Sequence, residues 1–146
     1  RPFALSAAGR VATSRVSTVA EAAHIAITLP QQEGPMLHAP RIAVDRILEL
    51  CLGAALDVGA PHGTIRIDCE AEGGWALATL VSLPAGAAWP DLPTGAELPP
   101  SGTVYSRTQE TLRFAVARRI ARRLGGRLTS CNIAEGAFAI RLAVPR

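Results

Sequence analysis

The sequence predicts an α+β fold, a two-layer sandwich in which about three helices cover one face of a mixed, mostly antiparallel sheet. Three observations predict it. Apolar residues recur at helical spacing in three segments, 6–24, 41–59 and 108–124. Two pairs of strand-like runs are each joined by a turn containing glycine. The order helix, strand, helix, hairpin, long loop, helix, hairpin fills 146 residues, the length of one domain.

The first helix is SAAGRVATSRVSTVAEAAH, where Val11, Val16, Val19, Ala20 and Ala23 form a moderate apolar stripe. IAITLP, residues 25–30, alternates apolar and polar until Pro30 ends it, as a half-buried strand does, and QQEGP reads as a turn. RIAVDRILELCLGAALDVG follows Pro40 and places Ile42, Ile47, Leu48, Cys51, Leu52, Ala55 and Leu56 on a broad apolar face closed by Gly59. Thr64–Ala71 and Trp75–Leu83, separated by Glu72, Gly73 and Gly74, carry a hairpin signature. Residues 84–107 are proline-rich without period and read as a long lid-like loop. In TQETLRFAVARRIARRLGG, Leu112, Val116, Ile120 and Leu124 recur every four residues beside Ala117 and Ala121, and Gly125–Gly126 supply a left-handed stop. RLTSCNIAEG and AFAIRLAVP close the chain as a hairpin turning at Glu135–Gly136.

Composition narrows the function. About half the residues are hydrophobic, which predicts a folded core, and every basic residue is arginine. The net charge of +3 is too small to imply nucleic acid without a concentrated patch. Cys51, Cys69 and Cys131 are odd in number and lack a CxxC pair, so no metal site and no disulfide framework is expected. A reducing cytoplasm fits them. No apolar run reaches the ~20 residues of a membrane span, and no secretory signal pattern opens the chain. The first residue is Arg1 and the single methionine is Met36, so a piece of a longer protein is expected. GxSxG, HExxH and P-loop patterns are absent from the sequence.

The element order and the phrases RPFALSAAGR, AEAAHIAITLP, RIAVDRILELCLGAAL, ARRIARRLGGRLTS and EGAFAIRLAVP resemble the catalytic ATP-binding domain of sensor histidine kinases, in the family shared with gyrase B, Hsp90 and MutL. The likeness covers nearly the whole chain. It implies a site for ATP with magnesium made by three motifs, and each is altered here. Asparagines on the second helix, which hold the metal in the family, fall on Leu50 and Ala54, neither of which has a ligand oxygen. Glu49 is the nearest replacement, one residue or about 100° around the helix. The adenine-binding aspartate falls on Ser82 and its following glycines on Pro84 and Gly86. A serine hydroxyl accepts a hydrogen bond without charge assistance, and Pro84 replaces a permissive residue with a rigid one. The phosphate-binding glycines before the third helix fall on Gln109, Thr111 and Arg113, leaving the helix-start amides as anion donors. The implied vestigial pocket is therefore Glu49, Ala54, Ser82, Gly86, Thr111 and Arg113.

His24, His38 and His62 read as structural or solvated rather than as a phosphoacceptor, which the family carries on a separate helix. Arg118, Arg119, Arg122 and Arg123 make a basic helix face, either a docking surface for an acidic partner or a solvated face near the helix C-terminus. Trp75 belongs to the core or the hairpin edge, and Trp89 either plugs a vacated pocket or presents a contact surface.

The resulting expectation is a degenerate kinase-type ATPase domain in bacterial two-component signalling, with no catalytic residue, metal or cofactor of its own. It would act as a docking or regulatory module, as such domains do in histidine phosphotransferases and pseudokinases. Its expected partners are a response-regulator receiver domain or another kinase domain. Neither nucleic acid nor membrane contact is expected of this cytoplasmic segment; its parent is expected to be a homodimer, either cytoplasmic or membrane-anchored. Two other readings stand beside it: a divergent but working domain that binds ATP with magnesium and phosphorylates an upstream histidine, and a sensor using the vacated cleft.

Overall fold

Helices and strands form where apolar period and turn chemistry agree. The structure, a computed structural model, describes residues 1–30, 33–99 and 111–146. In chain order the elements are β1 (Phe3–Ala4), α1 (Leu5–Ala22), β2 (Ala26–Thr28), β3 (Met36–Leu37), α2 (Arg41–Val58), β4 (Thr64–Glu72), β5 (Trp75–Leu83), α3 (Leu112–Arg123), β6 (Arg127–Ala134) and β7 (Ala137–Pro145). The main sheet has the order β2-β4-β5-β7-β6, with β2 parallel to β4 and every other pairing antiparallel. The two-residue strands β1 and β3, which the sequence did not announce, pair separately, with Phe3 opposite Leu37.

Helix α1 packs on α2 and α2 on α3, forming a layer against one sheet face. Ile65 and Ile67 of β4, Ala78 and Leu80 of β5, and Phe138, Ile140 and Leu142 of β7 face that layer. The predicted sandwich with helices on one face is the observed one. Side-chain register changes three details. Val19, expected in the α1 stripe, is exposed, because the buried residues Ala12, Val16 and Ala20 define the stripe and Val19 lies 100° from Ala20. Ile42 of α2 is 86% exposed, being 200° around the helix from buried Val44.

The third change concerns α3. Leu112, expected to lead its apolar stripe, is 79% exposed, and Val116 is also exposed. Residues every four positions drift by about 40° per step, so Leu112 and Leu124 lie about 120° apart and cannot share one face. Phe114, Ala117 and Ala121 are buried instead, with Ile120 and Leu124 partly covered. Residues 108–110 of the expected helix lie outside the described residues. The glycine stop is as expected: Gly125 has φ +74°, its amide donates to the Arg122 carbonyl and the Gly126 amide to that of Ala121. The same pair of bonds ends α1, where His24 at φ +56° takes the position usually held by glycine.

Strands β5 and β7 are buried along nearly their whole length, so the sheet is covered on both faces. The described part of the long loop, residues 84–99, lies on the face away from the helices. There Leu92 and Leu98 pack on Val81, Cys131 and Ala139. Arg141, in the middle of β7 and only 2% exposed, donates from Nε to Thr79 Oγ1 at 2.9 Å and from Nη1 to the carbonyls of Pro93 at 2.7 Å and Gly95 at 3.1 Å. The Gly95 amide donates to Glu72 at 3.0 Å and the Leu98 amide to Thr129 Oγ1 at 2.9 Å. Residues 100–107 of that loop are outside the described residues.

Candidate functional site

The outer ridge of α2 repeats every four residues: Asp45, Glu49, Gly53, Asp57. Each carboxylate on it meets an arginine. Asp45 lies 3.8 Å from Arg41, Glu49 lies 3.3 Å from Arg15 of α1 and 3.9 Å from Arg46, and Asp57 pairs with Arg113 from the first turn of α3. Burial pushes the Asp45 carboxyl above its usual range, against the opposing pull of Arg41. Gly53 is the gap in the ridge, and Arg113 lies across it. A Cβ at Gly53 would stand 2.8 Å from Arg113 Cδ and 3.1 Å from its Nε, so the absence of a side chain there is what lets the guanidinium reach Asp57.

The family's metal-holding positions fare differently. Ala54 and Leu50 point inward and are buried in the apolar core. Glu49, the nearest oxygen donor, is tied to α1 through Arg15. The residues at these positions do not fit a magnesium ion, which needs several oxygen ligands in near-octahedral array. Among the described residues no group of three or more His, Cys, Asp or Glu side chains could hold a metal.

Ser82 is buried on the helix side of β5, between Ile65 and Phe138 in the cross-strand row. Its Oγ stands 3.4 Å from where a Cβ on Gly59 would be, which places it beneath the end of α2. Gly86 has φ +80° and completes a turn in which the Ala87 amide donates to the Pro84 carbonyl at 3.2 Å. That glycine serves the turn geometry. Thr111 is the N-cap of α3, its Oγ1 accepting from the Phe114 amide at 3.1 Å. One of the helix-start donors expected to be free for an anion is thereby used within the chain.

The folded chain thus brings Gly53, Asp57 and Arg113 together at the α2–α3 junction and sets Ser82 under the end of α2, while Glu49 faces α1. Trp89 is stacked on Arg66, its ring centre 4.0 Å from the guanidinium carbon. Arg66 alternates with core-facing Ile65 and Ile67, so Trp89 sits on the far sheet face, away from the α2–α3 junction that it would have to plug. His24 and His62, read as structural or solvated, stack with ring centres 5.1 Å apart, both at positive φ. Nothing in the spacing announced the pair. Arg118 lies over the Phe114 ring at 4.9 Å, and Arg119, Arg122 and Arg123 are exposed.

The cysteines lack nucleophilic character. Burial pushes the thiols of Cys51 and Cys69 up to about 12 and that of Cys131 upward. At pH 8 Cys51 and Cys69 of the native protein are expected to react with Ellman's reagent about 1,000-fold more slowly than a free thiol, and Cys131 more slowly than a free thiol, with all three sites reacting at once in urea. Fast native labelling of Cys69, the least buried of the three, would contradict this.

No protein-family model and no curated protein sequence matches the chain. Solved structures do. The nucleotide-free catalytic domain of histidine kinase ThkA superposes with a TM-score of 0.73 at 15% identity, over 99% of this chain and 95% of that one. The fold is that of a histidine kinase catalytic domain. The mycobacterial sensor histidine kinase MprB gives a TM-score of 0.69 at 14% identity, over 99% and 96% of the two chains. ThkA in complex with the response regulator protein TrrA gives 0.66 at 16%, over 99% of this chain and 41% of that one. Leu50 and Ala54 lie on α2, Ser82 at the end of β5, and Thr111 and Arg113 at the start of α3, while Gln109 lies outside the described residues. Among the described residues, no helix of the kinase-type domain is long and apolar enough to cross a membrane.

Proposed function

We propose that this kinase-type domain has given up normal ATP binding and serves as a cytoplasmic docking or regulatory module in two-component signalling. The observation that carries the reading is the α2–α3 junction: Arg113 lies over Gly53 and pairs with Asp57, occupying space beside the ligand-less Ala54. A cationic side chain already neutralised by an internal carboxylate has less to offer a nucleotide phosphate, and the oxygen ligands for its magnesium are missing. The mechanism would be recognition through a shaped, charged surface. The exposed arginines 119, 122 and 123 of α3 suit an acidic partner, and the ThkA complex with a response regulator supports a receiver domain as that partner.

The test is calorimetry of the purified chain with ATP and magnesium, alongside ADP. No binding heat is expected up to millimolar nucleotide. Micromolar, magnesium-dependent binding would overturn the reading and favour a divergent active domain. Replacing Arg113 with alanine in the same experiment asks whether the internal ion pair is what keeps the site closed.

A further inference from the structure

A second concave site lies away from the α2–α3 junction, at the other end of α3. It encloses about 380 Å³ between the last turns of α3, the start of β6 and the far-face loop, and Arg118, Arg122 and Arg127 line it. A single carboxylate, Glu97 of the loop, enters it and pairs with Arg127 Nε at 3.3 Å. Among the described residues Arg118 and Arg122 make no ion pair. Three guanidinium groups against one carboxylate leave the pocket two positive charges in excess.

The arginines are held in different ways. Arg118 stacks on the ring of buried Phe114 at 4.9 Å, and Arg127 also donates from Nη1 to the Gly126 carbonyl at 3.4 Å. Arg122 is one turn along from Arg118 on the same side of α3, which faces both guanidinium groups toward one space. Planar guanidinium forks converging on a small pocket are the arrangement that recognises oxyanions bidentately.

We propose that this pocket is an oxyanion site for a phosphate group, in which Glu97 is an internal competitor. It is independent of whether nucleotide binds at the α2–α3 junction. Free phosphate and a phosphomonoester share the chemistry, so both are probes. The full chain is titrated with inorganic phosphate and, separately, with phenyl phosphate at constant ionic strength, following the amide resonances of Gly126 and Thr129.

Saturable shifts are expected. Glu97→Gln, which removes a mostly exposed partner, should tighten binding about fivefold. Arg122→Gln and Arg127→Gln should each weaken it about tenfold, with thermal melts checking that every variant is folded. Saturation by phosphate alone would assign the site to the free ion, and saturation by both would assign it to a terminal phosphoryl group. Shifts that rise linearly without saturation, or a Glu97→Gln variant that binds no more tightly than the parent, would overturn the proposal.

Discussion

Phe114→Ala is expected to lower the stability of the domain by about 3–5 kcal/mol, measured by urea denaturation. Leu112→Ala, two residues earlier, should change it by less than about 0.5 kcal/mol. The contrast follows from α3 geometry. Phe114 is fully buried and is the largest side chain joining α3 to the core, so truncation removes its transfer free energy and leaves a cavity. Leu112 is 79% exposed and has little burial to lose. Its removal also leaves the helix start intact, because the N-cap bond runs from the Phe114 amide to Thr111 Oγ1. A larger loss at Leu112 than at Phe114 would mean that α3 packs on a different face.

Arg141→Met should cost about 1–3 kcal/mol, because three acceptors lose their donor, one on buried Thr79 and two on part-buried loop carbonyls. Thr79 Oγ1 and the carbonyls of Pro93 and Gly95 all depend on this one side chain. Methionine keeps most of the volume, so the loss reports hydrogen bonding more than packing. Arg141→Lys keeps the charge but cannot span all three acceptors with a planar fork, and should recover only part of the loss. The same variants should free residues 84–99, read as faster cleavage there in limited proteolysis. Unchanged stability together with unchanged cleavage would show that the loop is held by Leu92 and Leu98 alone.

How much of this was legible in the sequence differs by element. Helix α2, the β4–β5 hairpin and the double-glycine stop of α3 were readable because dense apolar patterns and turn chemistry agree there. Strands β1 and β3 have two residues each, too few to show a period. WALATLVSL and AFAIRLAV read as hairpin strands, whereas their burial on both faces and the anchoring role of Arg141 came from the packing of the far-face loop. What the chain alone could not announce are the partners. Arg113 reaches Asp57 across 56 residues and Arg15 reaches Glu49 across 34, and no local pattern encodes either distance. The occupation of Gly53 by Arg113 needed three dimensions.

The order of strands also bears on synthesis. Strand β7, the last made, lies between β5 and β6, so β5 has no partner on that side until residues 137–145 leave the ribosome. Until then β5 presents a nine-residue apolar edge, the kind that pairs with other chains. The nascent domain must therefore wait for the nine residues of β7 before its sheet is closed, and a chain cut short before them would expose the edge of β5.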